Sequence, residues 1–239
     1  VTRPFLTAEW RYLVLLNFRV DGRLLAPHVP RGTVLDTWRG DAWVSLVGFR
    51  FLDTRLFGLP MPAHRQFPEV NLRFYVRAAA DGRRAVVFLK EIVPRWAIRL
   101  LARAAYNEPY VVRPMRAEAP TAPHPAPGRV SYAWRHRGRW NRFGLAATAP
   151  PVPIVADSDE AFIAEHYWGY TRQRSGATIE YAVEHPTWSV YPSAGVFVDV
   201  DLAAEYGPVW AEALAAPPAS AFLADGSAVA VGRPRLIGV

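Results

Sequence analysis

Glu69, Asn71, Arg73 and Tyr75 occupy every second position of the stretch FPEVNLRFYV, which runs from Phe67 to Val76. Period-2 spacing puts a carboxylate, an amide, a guanidinium and a phenol on one face of a strand. Val70, Leu72, Phe74 and Val76 take the other face. Facing water, the polar row is the wet side of an amphipathic strand. Facing the inside of a barrel, it gathers a general base, a hydrogen-bonding amide and a planar fork that matches a carboxylate bidentately. Spacing alone leaves both readings open.

Further polar groups lie among aromatic strand residues: Lys90, Glu91, Tyr106, Asn107, Glu108, Tyr110, His166, Tyr167, Trp168, Tyr170, Arg172, Glu180 and His185. Charges buried there must be paired or await a charged ligand. An inward Arg73 lies roughly 13 Å along the strand from Glu69. Its partner is therefore expected on another strand, from Glu91, Glu108 or Glu180, or in a bound anion. The catalytic candidates are Glu69, Glu108 and His166. The ligand-binding candidates are Arg73, Asn71, Tyr75, Glu91, Tyr170 and Glu180. No two of the six histidines share helical i, i+4 spacing. A cross-strand metal site from His166, His185 and Glu180 is geometrically conceivable, but no metal or cofactor is expected. The chain has no phosphate-cradling glycine loop, no G-x-S-x-G elbow and no HExxH helix.

The elements that must hold these residues are mostly strands. WRYLVLLNFRV (10–20) is a strand, and GRLLAPHVPRG a helical turn stopped by prolines. A hairpin turns at Arg39–Asp41. After the 69–77 strand, Asp81-Gly82 turns into RAVVFLKEIV (84–93), apolar on both faces over Ala85–Leu89 and so buried on both sides. PRWAIRLLARAAYN (94–107) has helical periodicity, with Leu101 on its apolar face and Arg95, Arg99 and Arg103 opposite. That arginine stripe offers an alternative role, docking an acidic partner. APTAPHPAPG (119–128) reads as a Pro/Ala-rich loop within one domain spanning 1–239. A hairpin turns near Gly138. A short helix capped by Asp157 or Ser158 leads into a strand from about His166. Two more strands and a helix near 208–216 follow. The tail AFLADGSAVAVG reads as a second hairpin.

Composition narrows the classes. With 239 residues, 51% hydrophobic and 21% charged, the chain suits a globular protein. It has no cysteine, which excludes disulfides, thiolate metal sites and cysteine nucleophiles. No apolar run is long enough to span a bilayer, and the first residues lack a signal-peptide layout. Neither membrane association nor export is expected, and cytoplasm is the expected location. The net charge of +7 suggests nucleic acid, but Lys90 is the only lysine among 28 basic residues and the arginines are scattered among acids. That pattern fits GC-rich coding better than a nucleic-acid surface.

Several segments together resemble one family. FPEVNLRFYV is similar to the PEvNvRtYV segment of the YqjF-like family, an uncharacterised group of bacterial proteins. EPYVVRPM (108–115) resembles its LPYyrArM, AEHYWGYT (164–171) its tERYWlYt, and EHPTWSV (184–190) its hHpPWplw. The earlier WRYLVLLNFRVDGRLLAPHVPRG and WVSLVGFRF fit in order, so the resemblance covers roughly residues 3 to 225. The family is grouped with the acetoacetate-decarboxylase-like superfamily. That implies an α+β fold: a mainly antiparallel, cone-shaped barrel with a few helices packed outside and a pocket within. The polar face of 69–77 would then look inward. The decarboxylases carry a lysine pair after a proline, near REllGfPKK, and one lysine forms a Schiff base with a keto acid. Here the nearest match is LKEIVPRW. Glu91 and Pro94 correspond, but Arg95 and Trp96 stand at the lysine positions. A guanidinium stays protonated and cannot replace the amine. The resemblance thus implies an internal pocket for a small carboxylate or carbonyl compound, with lyase-like chemistry open and Schiff-base decarboxylation excluded.

Overall fold

The computed structural model describes residues 4–61, 64–94, 109–124, 126–173 and 175–237. Its frame is a strongly curved sheet. Around it the strands run Ser220–Val231, Leu6–Val20, Asp41–Leu56, Phe67–Ala78, Arg84–Val93, Trp168–Arg172 and Thr178–Glu184. The last pairs back onto the first, Val183 opposite Val231 and Glu184 opposite Ala230, which closes the ring. Closure pairs the two outer strands of the ring with each other, so neither is left as an open edge there. All neighbours in the ring are antiparallel except Arg84–Val93 and Trp168–Arg172, where Ala85 and Val86 lie parallel to Trp168 and Gly169. The other end of that same strand edge pairs in parallel with Tyr110–Val112.

A second sheet, ordered Ser193–Asp199, Arg139–Ala147, Arg129–His136, Met115–Glu118, packs against the outside of the ring. Its Val130, Tyr132, Trp134, Phe143 and Leu145 meet Val14, Leu16, Val44, Leu46, Val70, Leu72 and Phe74 in one core. Most of the Phe67–Ala78 strand is therefore buried on both sides: Val70, Leu72, Phe74 and Val76 feed the intersheet core, and Glu69, Asn71 and Arg73 face the ring interior. Gly48 sits where the sheets approach most closely. A Cβ there would come within 2.5 Å of the Tyr132 ring.

Two bulges keep the inward row in register as the sheet curves. Tyr12, at φ 57°, lies where the pairing with Asp41–Leu56 shifts between Arg11 and Val14. Trp10 and Leu13, three apart, consequently both line the interior while Tyr12 points to the outer core. On Arg84–Val93 the partner of Leu72 is Lys90 but that of Arg73 is Phe88, so Leu89 is the extra residue. Phe88 and Glu91 both turn inward as a result, and Lys90 turns out.

Most expected elements appear: the 22–28 helical turns, the Arg39–Gly40 turn, the Arg137–Gly138 hairpin and the helix Asp159–Ala164 capped by Ser158. The tail departs from expectation. Ser220–Val231 is one continuous strand rather than a hairpin, because Asp225-Gly226 makes a kink, with Gly226 at φ 75°, and the chain continues along Leu6–Val20. The 94–107 helix, with Leu101 and its arginine stripe, lies outside the described residues. The Pro/Ala loop is strapped to the ring by two hydroxyls: Tyr12 donates to the Ala122 carbonyl and Tyr191 to the His124 carbonyl, at 2.5 and 2.9 Å. No described helix is long and apolar enough to cross a membrane.

The intersheet core predicts a graded response. Leu72→Ala should cost about 2–5 kcal/mol in urea melts, as a cavity-forming change between two sheets. Val196→Ala, at an exposed position of the outer sheet, should cost under about 0.5 kcal/mol. Equal losses at both sites would contradict the packing described.

Candidate functional site

The ring interior holds a cavity of about 120 Å³. One wall is polar and built mostly from a single strand, Glu69, Asn71 and Arg73, completed by Glu91, Tyr110 and His166 from neighbouring segments. The rest is largely aromatic, with Trp10, Phe49, Phe51, Phe67, Phe88 and Trp188 prominent.

Glu69 is 2% exposed. Asn71 Nδ2 donates to its Oε1 and the Tyr110 hydroxyl to its Oε2, each at 3.2 Å, so both carboxyl oxygens are held in place. Burial pushes its pKa up to about 7, against the pull of these two donors and of the Arg73 charge. A carboxyl poised there can take or give a proton near neutrality. Tyr110 also hydrogen-bonds Glu91. Burial first, then the charges of the two glutamates, hold its phenol well above the ordinary range.

Arg73 is 7% exposed. Its Nη2 approaches the Ile163 carbonyl at 3.4 Å, and its guanidinium carbon lies 5.7 Å from the Tyr75 ring centroid. No carboxylate among the described residues forms an ion pair with it, and its Nε is buried without a hydrogen-bond partner. The Ile163 carbonyl belongs to the last turn of the helix Asp159–Ala164, where free carbonyls favour a cation. Arg84 uses the same end, donating to the Phe162 carbonyl at 2.9 Å.

His166 follows that helix. Its ring lies 4.6 Å from the Tyr75 ring and edge-on to Phe162 at 5.8 Å. Burial pulls its pKa down to about 4, although Asp36 pulls the other way. The Nε2 to Asp36 Oδ2 distance of 3.9 Å is an electrostatic contact longer than a hydrogen bond. His166 is thus a neutral imidazole near pH 7, suited to donating or accepting a hydrogen bond rather than to removing protons. Asp36 stays anionic. Burial opposes this, but its contacts with His166, Arg84 at 2.9 Å and Arg77 at 3.0 Å outweigh it.

Six sequence candidates are gathered by the fold: Glu69, Asn71, Arg73, Glu91 and His166 in the wall, and Tyr75 immediately behind it. Tyr75 is not a wall residue. Its hydroxyl meets Ser45 Oγ at 2.5 Å, and its ring backs His166. The other two ligand-binding candidates, Tyr170 and Glu180, do not line the cavity. They face away from it, Tyr170 donating to Glu180 at 3.0 Å, with Arg83 and Arg235 also on that carboxylate. The reason is period 2: on Thr178–Glu184 it is Tyr181 and Val183 that point inward. Glu180 is accordingly a structural counter-ion and not the partner of Arg73. Glu108, with Tyr106 and Asn107, lies outside the described residues.

The lone lysine is also turned away. Lys90 reaches Glu205 Oε1 at 3.1 Å and contacts the Glu205 carbonyl, and that carboxylate also takes His136 Nδ1 at 2.7 Å and Trp134 Nε1 at 3.0 Å. Sequence reasoning missed Asp36 and the aromatic wall. Asp36 carried a signal, an acid inside the apolar run TVLDTW. The wall carried none, since aromatic residues fill cores as readily as pockets. Among the described residues no cluster could hold a metal ion.

A closed ring of antiparallel strands with one parallel seam and an internal pocket is the acetoacetate-decarboxylase-like fold. Acetoacetate decarboxylase from Legionella pneumophila superposes with a TM-score of 0.68 over 98% of this chain and 87% of its own, at 10% identity. An acetoacetate decarboxylase-like enzyme from Sphingomonas wittichii gives 0.67, at 12% identity over 99% and 94%. The enduracididine biosynthesis enzyme MppR, complexed with pyruvate, gives 0.65, at 13% identity over 100% and 92%. Within this fold the chain belongs to DUF2071, a family of uncharacterised conserved proteins whose model matches residues 7–228. The uncharacterised protein YqjF of Bacillus subtilis is 28% identical over 181 residues, 74% of this chain and 72% of YqjF.

The raised pKa of Glu69 makes a linkage prediction. A carboxyl whose pKa is raised on folding contributes fully below its unfolded value near 4.5, and the contribution is lost as pH rises through about 7. Glu69→Gln should therefore gain stability relative to wild type between pH 5 and pH 8, by roughly 2–4 kcal/mol. Urea melts at both pH values check this. A constant difference would mean that Glu69 is ionised throughout.

Proposed function

We propose that the cavity binds a small organic acid or carbonyl compound, with Arg73 as the carboxylate anchor and Glu69 as the proton-transfer group. The observation that carries this reading is the state of Arg73. A guanidinium inside an aromatic cavity, without a carboxylate partner among the described residues and with Nε unsatisfied, is a charge that a ligand carboxylate would complete.

The remaining polar groups fit roles around that anchor. Glu69, held by Asn71 and Tyr110 and titrating near neutrality, would exchange a proton on carbon next to a carbonyl. Neutral His166 would hydrogen-bond the carbonyl oxygen. Tyr110, in contact with both Glu69 and Glu91, would hold the Glu69 carboxyl in place beside the ligand. This chemistry needs no imine. The fold neighbour complexed with pyruvate supports a ligand of this size and type.

Schiff-base decarboxylation of acetoacetate does not fit, because Lys90 is committed to Glu205 on the far side of its strand. Incubation with acetoacetate and borohydride should leave the protein mass unchanged. An adduct mapping to Lys90 would make the lone lysine a nucleophile and overturn this part of the reading.

The anchor is tested by Arg73→Lys, which keeps the charge but loses the planar fork. In a thermal-shift screen of small carboxylates and 2-oxo acids, wild type should be stabilised by its ligand through mass action. Arg73→Lys should lose most of that shift while its ligand-free melting temperature changes little. Equal shifts in both proteins would remove Arg73 from the binding site.

A further inference from the structure

Asn71 sits between the two charges of the polar wall, two residues from Glu69 and two from Arg73 on the same strand face. Its amide is held one way round, with Nδ2 donating to Glu69 Oε1 at 3.2 Å. The other Glu69 oxygen accepts from the Tyr110 hydroxyl. Both carboxyl oxygens are thus acceptors, and Asn71 Oδ1 has no hydrogen to take from that side. Oδ1 is buried without a hydrogen-bond partner among the described residues, in a residue 2% exposed. A buried acceptor left in that state is costly. The residue directly across the strand pair, Glu91, is another carboxylate. This part of the wall is rich in acceptors, and the two side chains that donate within it both point at Glu69.

From this geometry we infer that the ligand is a small hydroxy acid, its carboxylate on Arg73 and its hydroxyl donating to Asn71 Oδ1. The inference rests on the anchoring of a carboxylate at Arg73 and adds the ligand's second functional group. Asn71 and Arg73 lie ~7 Å apart along the strand. Two hydrogen bonds of ~2.8 Å with a short carbon chain between them span that distance. The Arg73 charge is felt as far as Glu69, beyond Asn71, so the wall is continuous on the scale of one small molecule. The acceptor sets the chemistry of its partner. A ligand carbonyl placed at Asn71 Oδ1 would set oxygen against oxygen. An ammonium would bring a full charge into a largely aromatic cavity, where it needs an ionised partner. Asn71 carries no charge, and Glu69 titrates near neutrality. A hydroxyl supplies one hydrogen to a neutral acceptor. Asn71 is thereby the specificity-determining residue, because a buried acceptor discriminates against analogues that lack the matching donor.

Calorimetric titration of the full chain with butyrate, its 2-, 3- and 4-hydroxy derivatives and 3-aminobutyrate tests this. The carbon chain is constant, and moving the hydroxyl measures the reach from Arg73 to Asn71. At least one hydroxy acid should bind about 5- to 50-fold more tightly than butyrate, the gain expected for satisfying one buried acceptor. Asn71→Leu, which keeps the approximate size of the side chain but removes Oδ1, should bring that ratio close to one while butyrate still binds. The wild-type ranking decides the matter if that variant does not fold. Equal binding of butyrate and all three hydroxy acids, or a hydroxyl preference that survives Asn71→Leu, would overturn the hydroxy-acid assignment and leave the Arg73 anchor standing. Tightest binding of 3-aminobutyrate would also overturn it, by making the donor an ammonium. Binding of none of the five would overturn it as well, and the Arg73 anchor itself falls only if the wider carboxylate screen also gives no shift.

Discussion

A strand buried on both faces has no wet side on which to carry a charge, and the Phe67–Ala78 strand carries two near its centre. That constraint organises the molecule. The second sheet covers the outer face through Tyr132, Trp134 and Phe143, so Glu69 and Arg73 can only face the ring interior. Once inside they must be held by groups that the rest of the fold supplies. Asn71 and Tyr110 hold Glu69, and the end of the Asp159–Ala164 helix faces Arg73. The short helix, the Tyr110–Val112 strand and the bulge at Leu89 all act on the surroundings of these two charges.

The two charges are held differently, and the difference is informative. Asp36, also buried, is satisfied by Arg84, Arg77 and the His166 contact. Glu180 likewise gathers Arg83 and Arg235, and Glu205 gathers Lys90 and Arg113. Structural ion clusters in this protein are thus well supplied with partners. Arg73 has one long hydrogen bond and no carboxylate among the described residues, in a chain rich enough in arginine and acid to have provided one. The facing residue on the next strand is instead Phe88, which keeps the guanidinium available and the wall apolar.

Fold and chemistry separate at the lysine pair. The ring, the parallel seam and the internal pocket are those of the decarboxylase-like fold, while the chain's single lysine, Lys90, is tied to Glu205. A barrel positions whatever side chains its inward rows carry, so the same frame can host acid–base chemistry on carboxyls instead of imine chemistry on an amine. In the reading proposed above, the proton-transfer group is Glu69 on the Phe67–Ala78 strand, where burial raises its pKa.

Much of this was legible in the residues. Period-2 alternation located the Glu69–Asn71–Arg73 row, the two-faced apolar run Ala85–Leu89 signalled a strand covered on both sides, and the lone lysine ruled out a lysine pair. Local sequence determines these features because alternation, turn residues and residue chemistry act over a few positions. Tertiary structure alone decided which way each row faces. Tyr170 and Glu180 are as polar as Glu69, yet closure of the ring turned them outward and Tyr181 inward, since a one-residue change of phase flips every side chain of a strand. The bulges at Tyr12 and Leu89 reset that phase without any glycine to announce them. The partner of His166, Asp36, lies 130 residues away in sequence. The pKa of Glu69 depends on how completely three other segments exclude water from it. Phase and burial are properties of the closed sheet, and no single segment contains them.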